Sequence, residues 1–464
     1  MGYSQLVIDN IKQKIFEKHE KAYQGKEQLF NYSNASNIKE ITNNFGETLT
    51  RVDGEIPIDL EISNGQRFLF ISYDQSRYTH GLHKYPAKFF PELPRWLIKR
   101  YSQAGDIILD PFTGSATSNI EALLNNRHSV GIDVDPFSRF LAKVKTTKLD
   151  ISILQSNVDN VLNEIIKYKP EFVNKKDIPI FPYRENWFTS EILSELAFIK
   201  KIISNQGVDD DILDFYRICF SSIIRSVSNA DNNCTRTVVR KKLNKNILPT
   251  FALTKFAEAL LTNYLRIIEF SKIYPKNIIV ELPDDSDAKK IRFPENYFSF
   301  ALTSPPYVNA VDYPRTHQLE MYWLDIANGS LTDLKRKHIG TESVFVEDYN
   351  YLHKINIEEA DKKILKIFEK DKRRAYIAFK YLYDMQENFK EVYRTLKPGG
   401  KYAMVVGNNL IRNEIFESWN YLKKIAENIG FKDINYFGSE IIKHFIKVPR
   451  EERINTDWII ILEK

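Results

Sequence analysis

Residues 106 to 136, DIILDPFTGSATSNIEALLNNRHSVGIDVDP, constrain the fold more than any other stretch of the chain. Ile107, Ile108 and Leu109 form a short continuous apolar run closed by Asp110-Pro111, which reads as a buried strand. A loop of small residues and a helix follow, and SVGIDVDP is a second strand. Strand, glycine-bearing loop, helix and strand in that order open a doubly wound α/β sheet.

The regular alternation then stops. From 137 to 275 the pattern is helical, in ISILQSNVDNVLNEIIKY, TSEILSELAFIKKIIS, ILDFYRICFSSIIRSVS and TKFAEALLTNYLRIIEFSKIY. NIIVEL at 277 to 282 resumes the sheet, and FSFALTSPP supplies the next strand. A charged helical stretch from 315 to 395 ends in LKPGG, where the glycines are expected to stop the helix before the strand KYAMVVGN. One more helix and the strands INYFGS and DWIIIL complete the chain. Upstream, residues 1 to about 75 read as a helix followed by strands IPIDLEIS and RFLFISY, joined at Asn64-Gly65. Pro86, Pro91 and Pro94 then precede an amphipathic helix that Gly105 ends. The expected architecture is a doubly wound, mostly parallel α/β sheet with a large helical insertion between its second and third strands. An insertion of that length carries its own function more often than not.

Composition narrows the class. With 464 residues, 43% hydrophobic and 27% charged, the chain reads as an ordinary soluble globular protein, with no apolar run near the roughly 20 residues of a membrane span. No signal-peptide core is present at the start, and the expected location is the cytoplasm. Two cysteines, Cys219 and Cys234, make neither a disulfide framework nor a metal site. The net charge of +5 names no partner by itself. Its distribution is more informative: CTRTVVRKKLNK at 234 to 245 carries Arg236, Arg240, Lys241, Lys242 and Lys245 without an acid. Taken alone, such a run is equally well a solvated helix face.

Three motifs carry chemistry. LDPFTGSATS (109 to 118) lets a ligand approach the backbone at a helix N-terminus, but it has neither Gly-Lys-Ser/Thr nor G-x-G-x-x-G, which excludes a P-loop and weakens a dinucleotide site. Asp110, at the strand end, suits a positively charged ligand group. In GIDVDP (131 to 136), Asp133 can accept two charge-assisted bonds from a ribose diol, while Asp135 can cap the next helix. TSPPY (303 to 307) closes the fourth strand on the same sheet edge. Its prolines break regular pairing and turn rigid carbonyls into the crevice. A carbonyl plus the Ser304 hydroxyl makes two acceptors for one amino group, and Tyr307 offers a face on which a flat ring can stack.

The three motifs resemble those of S-adenosylmethionine-dependent DNA amino-methyltransferases of bacterial restriction–modification systems. HGLHKYPAKFFPELP (80 to 94) and SPPYVNAVDYPRTHQLEMYWL (304 to 324) resemble segments of the same enzymes. Ser304-Pro305-Pro306-Tyr307 is similar to the N4-cytosine branch; the adenine branch more often begins with Asp or Asn. The resemblance covers roughly 78 to 140 and 277 to 464. It implies a seven-stranded, Rossmann-like methyltransferase sheet. It leaves 1–77 and most of 141–275 unassigned, and the expected regions are an accessory segment (1–77), the first catalytic part with the cofactor motifs (78–140), the helical insertion taken as the target-recognition region (141–275) and the second catalytic part (276–464).

Carried onto this sequence, it makes Ser304, Pro305, Pro306 and Tyr307 the catalytic set. The implied cofactor set is Tyr85, Pro86, Lys88, Phe89, Asp110, Phe112, Gly114, Ser115, Asp133, Asp287 and Thr303. The family usually has Gly-Ser-Gly where this chain has Gly114-Ser115-Ala116, and alanine serves there unless the backbone needs a positive φ. The insertion also lies before Asp287, unlike common arrangements.

A cytosine amino nitrogen is a poor nucleophile because its lone pair is delocalised into the ring. Accepting its protons at Ser304 Oγ and the Pro305 carbonyl would draw the nitrogen toward tetrahedral geometry, so that transfer needs positioning and electrostatic stabilisation more than a strong base. The base must leave the duplex to be reached. In this light Arg236, Arg240, Lys241, Lys242 and Lys245, beside Asn229, Asn232 and Asn233, suit a DNA-facing loop, and Asp312 and Arg315 join the DNA-binding candidates. Lys335-Arg336-Lys337 and Lys372-Arg373-Arg374 form a second basic cluster whose role stays open. His80 and His83 read as structural. The expectation is therefore a metal-free, monomeric, sequence-specific N4-cytosine methyltransferase acting on double-stranded DNA, paired with a restriction endonuclease. N6-adenine methylation and a catalytically silent DNA-binding specificity subunit are the alternatives.

Overall fold

The computed structural model describes residues 4–30, 37–42, 46–73, 75–239, 245, 248–284, 286–308, 311–327, 331–441 and 456–464. Its strands are β1 (Ile38–Thr42), β2 (Thr48–Asp53), β3 (Arg67–Ile71), β4 (Ile107–Asp110), β5 (His128–Gly131), β6 (Val280–Glu281), β7 (Phe298–Thr303), β8 (Leu396–Gly407), β9 (Asn409–Ile411), β10 (Glu414–Phe416), β11 (Lys432–Glu440) and β12 (Thr456–Glu463). Ten of these form one sheet in the order β1-β2-β3-β11-β12-β8-β7-β4-β5-β6, and β9 pairs with β10.

From β6 to β11 the sheet is the expected seven-stranded unit. β6, β5, β4, β7 and β8 are parallel, and β12 runs antiparallel between β8 and β11. The chain leaves β4 for β5 on one side, and β7 occupies the other, so strand order reverses between β4 and β7. Open α/β sheets bind ligands in the crevice at such a point. Successive residues face opposite layers, as strand geometry requires. Ile459 and Ile461 pack with Trp96, Leu97 and Phe300 on one face. Ile460 and Leu462 pack with Phe389, Val392 and Leu422 on the other.

Three strands beyond the seven extend the sheet. β3 adds parallel to β11, with Gly438 opposite Arg67, and β2 and β1 follow. IPIDLEIS is not among the strands. Ile56 and Leu60 turn into the core, while the carbonyls of Pro57, Ile58 and Leu60 accept from Trp96 Nε1 and Arg100 instead of a ladder partner. Residues 1–77 therefore do not stand as one accessory segment. Strands 38–71 join the sheet, whereas the helix Gln5–Phe30 buries Ile8 and Ile11 in the core of the helical insertion.

The insertion is built from helices Ile151–Ile165, Ser190–Ser204, Asp210–Val227 and Phe251–Ile273, each with a broad apolar face. Leu319, Met321, Trp323 and Leu331, from after the TSPPY motif, complete the same core. The helix before β8 ends at Thr395, ahead of Pro398, and not at the glycines. Leu396 is already paired with Phe298, so the strand ladder starts where the helix stops. No helix among the described residues is long and apolar enough to cross a membrane.

Candidate active site

At the switch point between β4 and β7 lies a cleft of about 780 Å³. Asp110 ends β4 fully buried; its Oδ1 accepts from Phe112 N at 3.0 Å and from Thr303 Oγ1, at the end of β7, at 2.6 Å. The two strands are thus tied at their tips. Thr303 is buried behind this bond and does not line the cleft. Asp133, beyond β5, accepts from Gly114 N at 2.9 Å through Oδ2 and from Asp135 N at 2.8 Å through Oδ1. Asp135 caps the next helix at Phe137 N, 2.8 Å away. Burial pushes Asp110 up to about 6, and burial with the neighbouring Asp135 pushes Asp133 up to about 6.

The loop between β4 and its helix is closely framed. Gly114 has φ +43°, and a Cβ there would lie 3.3 Å from the Tyr85 ring. Ala116 adopts φ 61°, ψ 27° and is fully buried, so the position does need a left-handed backbone, contrary to the condition under which alanine fits without strain. Lys145, itself buried, donates from Nζ to the Ser115 carbonyl at 3.1 Å and holds the loop from behind.

The segment 78–94 folds over this loop through buried polar bonds. His80 Nε2 lies 2.8 Å from Glu121 Oε1, and Arg95 Nε donates to Glu121 Oε2 at 2.8 Å. His83 bonds Ser221 Oγ at 3.1 Å and the Lys84 carbonyl at 2.7 Å. Both histidines are structural. Tyr85 reaches Ser138 Oγ at 2.9 Å and stacks between Tyr313 (5.5 Å, 20°) and His317 (5.2 Å, 21°).

Of the residues singled out for the cofactor, Tyr85, Lys88, Phe89, Asp110, Phe112, Gly114, Ser115, Asp133 and Asp287 line this cleft, and Pro86 does not. The Lys88 ammonium turns to the carbonyls of Gln75 (2.8 Å) and His80 (3.3 Å). Tyr313, Lys337, His338 and Ile339 also line it; Tyr313 follows TSPPY within the segment 304–324, whereas His338 and Ile339 come from a later segment without a local pattern. His338 Nε2 lies 3.6 Å from Asp135 Oδ2, and that pairing outweighs burial to raise the histidine and lower the aspartate.

A second cleft, of about 1100 Å³, opens alongside, and Ser304 lines both. Pro306 faces the first, while Pro305 and Tyr307 face the second. Ser304 Oγ donates to the Val405 carbonyl at 3.3 Å, and Tyr307 Oη donates to Asp457 Oδ1 at 2.9 Å. Burial and then Asp457 push the Tyr307 phenol well above its ordinary range, so it remains protonated.

The DNA-facing candidates separate. Arg236, Asp312 and Arg315 line one hollow together with Lys335. Asp312 caps the helix Tyr313–Thr316 and pairs with Lys335 at 3.1 Å, while Arg315 is exposed. Lys245 differs from the expectation of a phosphate contact, because its ammonium is half-buried on the Ser228 carbonyl (2.8 Å) and Asn232 Oδ1 (3.3 Å). Arg240, Lys241 and Lys242 lie outside the described residues. Among the described residues no group of three or more His, Cys, Asp or Glu side chains could hold a metal ion.

A seven-stranded unit with one antiparallel strand, and a carboxylate beyond each of β4 and β5, is the methyltransferase-like arrangement expected from the three motifs. Residues 4–143 match the N6/N4 DNA methylase family. The Type II methyltransferase M.MvaI of Kocuria varians is 27% identical over 395 residues, spanning 77% of this chain and 85% of that protein. M.BsoBI of Geobacillus stearothermophilus is 25% identical over 418 residues, spanning 79% and 82%. M.MjaII of Methanocaldococcus jannaschii is 32% identical over 155 residues, spanning 32% and 29%. The chain is thus similar to Type II DNA methyltransferases and shares residues 4–143 with the N6/N4 DNA methylase family, a likeness that points to S-adenosylmethionine as the cofactor.

The first cleft fits that cofactor. Gly114 leaves room where a Cβ would crowd Tyr85, and the two carboxylates match an ammonium and a diol.

Proposed function

We propose that the protein methylates the exocyclic N4 of cytosine at a specific sequence in double-stranded DNA, as the modification partner of a restriction endonuclease. The observation that carries the reading is Ser304, the first residue of Ser-Pro-Pro-Tyr, at the junction of the two clefts. A base in the second cleft would bring its amino group to that junction. Ser304 Oγ holds Val405 O only loosely, at 3.3 Å, and keeps lone pairs for an amino proton. The Pro305 carbonyl is the second acceptor.

Asp110 and Asp133 hold the ammonium and ribose of the cofactor, with Tyr85, Phe89, Phe112, Gly114, Ser115 and Asp287 around them. Bound there, the cofactor supplies an activated methyl group. The chain's own part is to align the nitrogen, withdraw its protons and exclude water. The helical insertion 141–275, helped by 315–380, reads the target sequence, and Arg236 and Arg315 bind phosphates beside the extruded base.

N6-adenine methylation is the second reading, since the matching family spans both chemistries. Incubation with S-adenosylmethionine and unmethylated genomic DNA, followed by nucleoside mass spectrometry, separates them. N4-methylcytosine is expected; N6-methyladenine in its place would overturn the cytosine assignment.

A further inference from the structure

The second cleft contains an aspartate that no motif announces. Asp457 lies near the start of β12, directly across the ladder from Gly407 at the end of β8. Between them sits the Tyr307 ring, whose hydroxyl donates to Asp457 Oδ1 at 2.9 Å. Gly407 has no side chain for a reason specific to this place. A Cβ there would stand 2.9 Å from Tyr307 Cε2 and 2.7 Å from Asp457 Oδ1, closer than carbon atoms are found.

The tyrosine is thus held at three points. Its backbone follows Pro305-Pro306, its ring lies over a position cleared of side chain, and its hydroxyl is taken by a carboxylate. The turn that carries it is tied as well, because Asn409 Nδ2 donates to the Val308 carbonyl at 2.7 Å. A phenol that already donates its hydrogen bond to a carboxylate has no donor left for the base beside it. What remains for the base is the face of the ring. A stacking face discriminates little between rings but fixes depth and tilt, and the transfer is sensitive to both.

We propose that Asp457 is a positioning residue for methyl transfer: it anchors the Tyr307 hydroxyl so that the ring, seated over Gly407, forms the fixed wall against which the target base stacks. The inference rests on the methylase reading of Ser304 to Tyr307.

The test uses the full chain with S-adenosylmethionine and unmethylated genomic DNA, measuring kcat by nucleoside mass spectrometry and cofactor affinity by calorimetry. Asp457→Ala should lower kcat by about 100-fold, the scale of a misplacement near 1 Å, with cofactor affinity unchanged. Asp457→Asn keeps an acceptor at Oδ1 and should restore most of the rate. Tyr307→Phe removes the same bond from the other side, so Tyr307→Phe combined with Asp457→Ala should be no slower than the slower single variant. Wild-type kcat in Asp457→Ala, or losses that multiply in the double variant, would overturn the proposal. If Asp457→Ala does not fold, Tyr307→Phe with an unchanged kcat overturns it alone. Methylation of adenine by the wild type would sink the cytosine assignment only, and the same variants then report on the adenine product. A wild type that methylates neither base overturns both.

Discussion

Asp110 and Asp133 are acids held in a place that disfavours their charge until a ligand arrives. Asp110 is buried and Asp133 half-buried, both at the wall of the first cleft, and burial, joined at Asp133 by the neighbouring Asp135, pushes both up to about 6 from the ordinary 3.8. A folded value above the unfolded one means that these groups stabilise the free protein at low pH, and that the contribution is lost as pH rises through about 6. An ammonium and a diol reverse this preference, since each binds the ionised carboxylate better. Cofactor affinity should therefore fall as pH drops below 6, binding near pH 6 should release protons, and the cofactor's stabilisation of the fold should be larger at about pH 7.5 than at about 5.5. Calorimetry in buffers of different ionisation enthalpy measures the proton count directly. Equal affinity across that range, with no proton release, would remove these two carboxylates from the cofactor's contacts. Asp133→Asn should weaken binding by about 1.5–3 kcal/mol and flatten its pH dependence. These two acids were legible in the sequence because each sits at a strand end beside its own loop motif. His338 and Asp457 were not, because they reach the clefts from elements remote in sequence, where only the fold supplies the neighbour.

The strand–loop–helix element around Ala116 shows how a motif can keep its geometry while changing its residue. At φ 61° and ψ 27° alanine carries roughly 1–2 kcal/mol of strain that glycine would not. Glycine would in turn lose about 0.5–1 kcal/mol of chain entropy and about 0.8 kcal/mol for the buried methyl. Ala116→Gly should accordingly stay within about 1 kcal/mol of wild type, whereas Ala116→Val, β-branched and fully buried at a positive φ, should lose about 2 kcal/mol or more. Urea unfolding of both variants measures the difference, and a stable Ala116→Val would mean that the loop can leave the left-handed conformation. Elements of this kind, an apolar run with a turn and a helix next to it, were readable because the pattern is continuous in sequence even though β4 pairs with the distant β7. Strands β1 and β2 were not, because IKEIT and TLTRVD are mostly polar and bury little, while the more apolar IPIDLEIS beside them buries Ile56 and Leu60 from a turn and gives its carbonyls to Trp96 and Arg100.

For the molecule as a whole, the unit that can be exchanged is set by the cores and not by chain order. Residues 141–275 look like one insertion in the sequence, yet their core is shared with Ile8 and Ile11 from the N-terminal helix and with Leu319, Met321, Trp323 and Leu331 from beyond TSPPY. Replacing 141–275 alone by a relative's insertion would face Phe215, Phe220 or Phe256 equivalents with foreign partners on two sides. Large-to-small or overpacked mismatches at buried positions cost about 1–5 kcal/mol each, so a few exceed the stability of an ordinary domain. That chimera should melt early or aggregate. A chimera that also takes residues 5–30 and 313–334 from the same relative keeps the core intact and leaves Asp110, Asp133 and Ser304 to Tyr307 as they are. It should fold, transfer methyl to the same atom of its base and methylate the relative's sequence instead. Sequencing of the methylated sites reads the target, and nucleoside mass spectrometry reads the chemistry. A folded three-part chimera that still marks the original sequence would place target recognition outside the helical core.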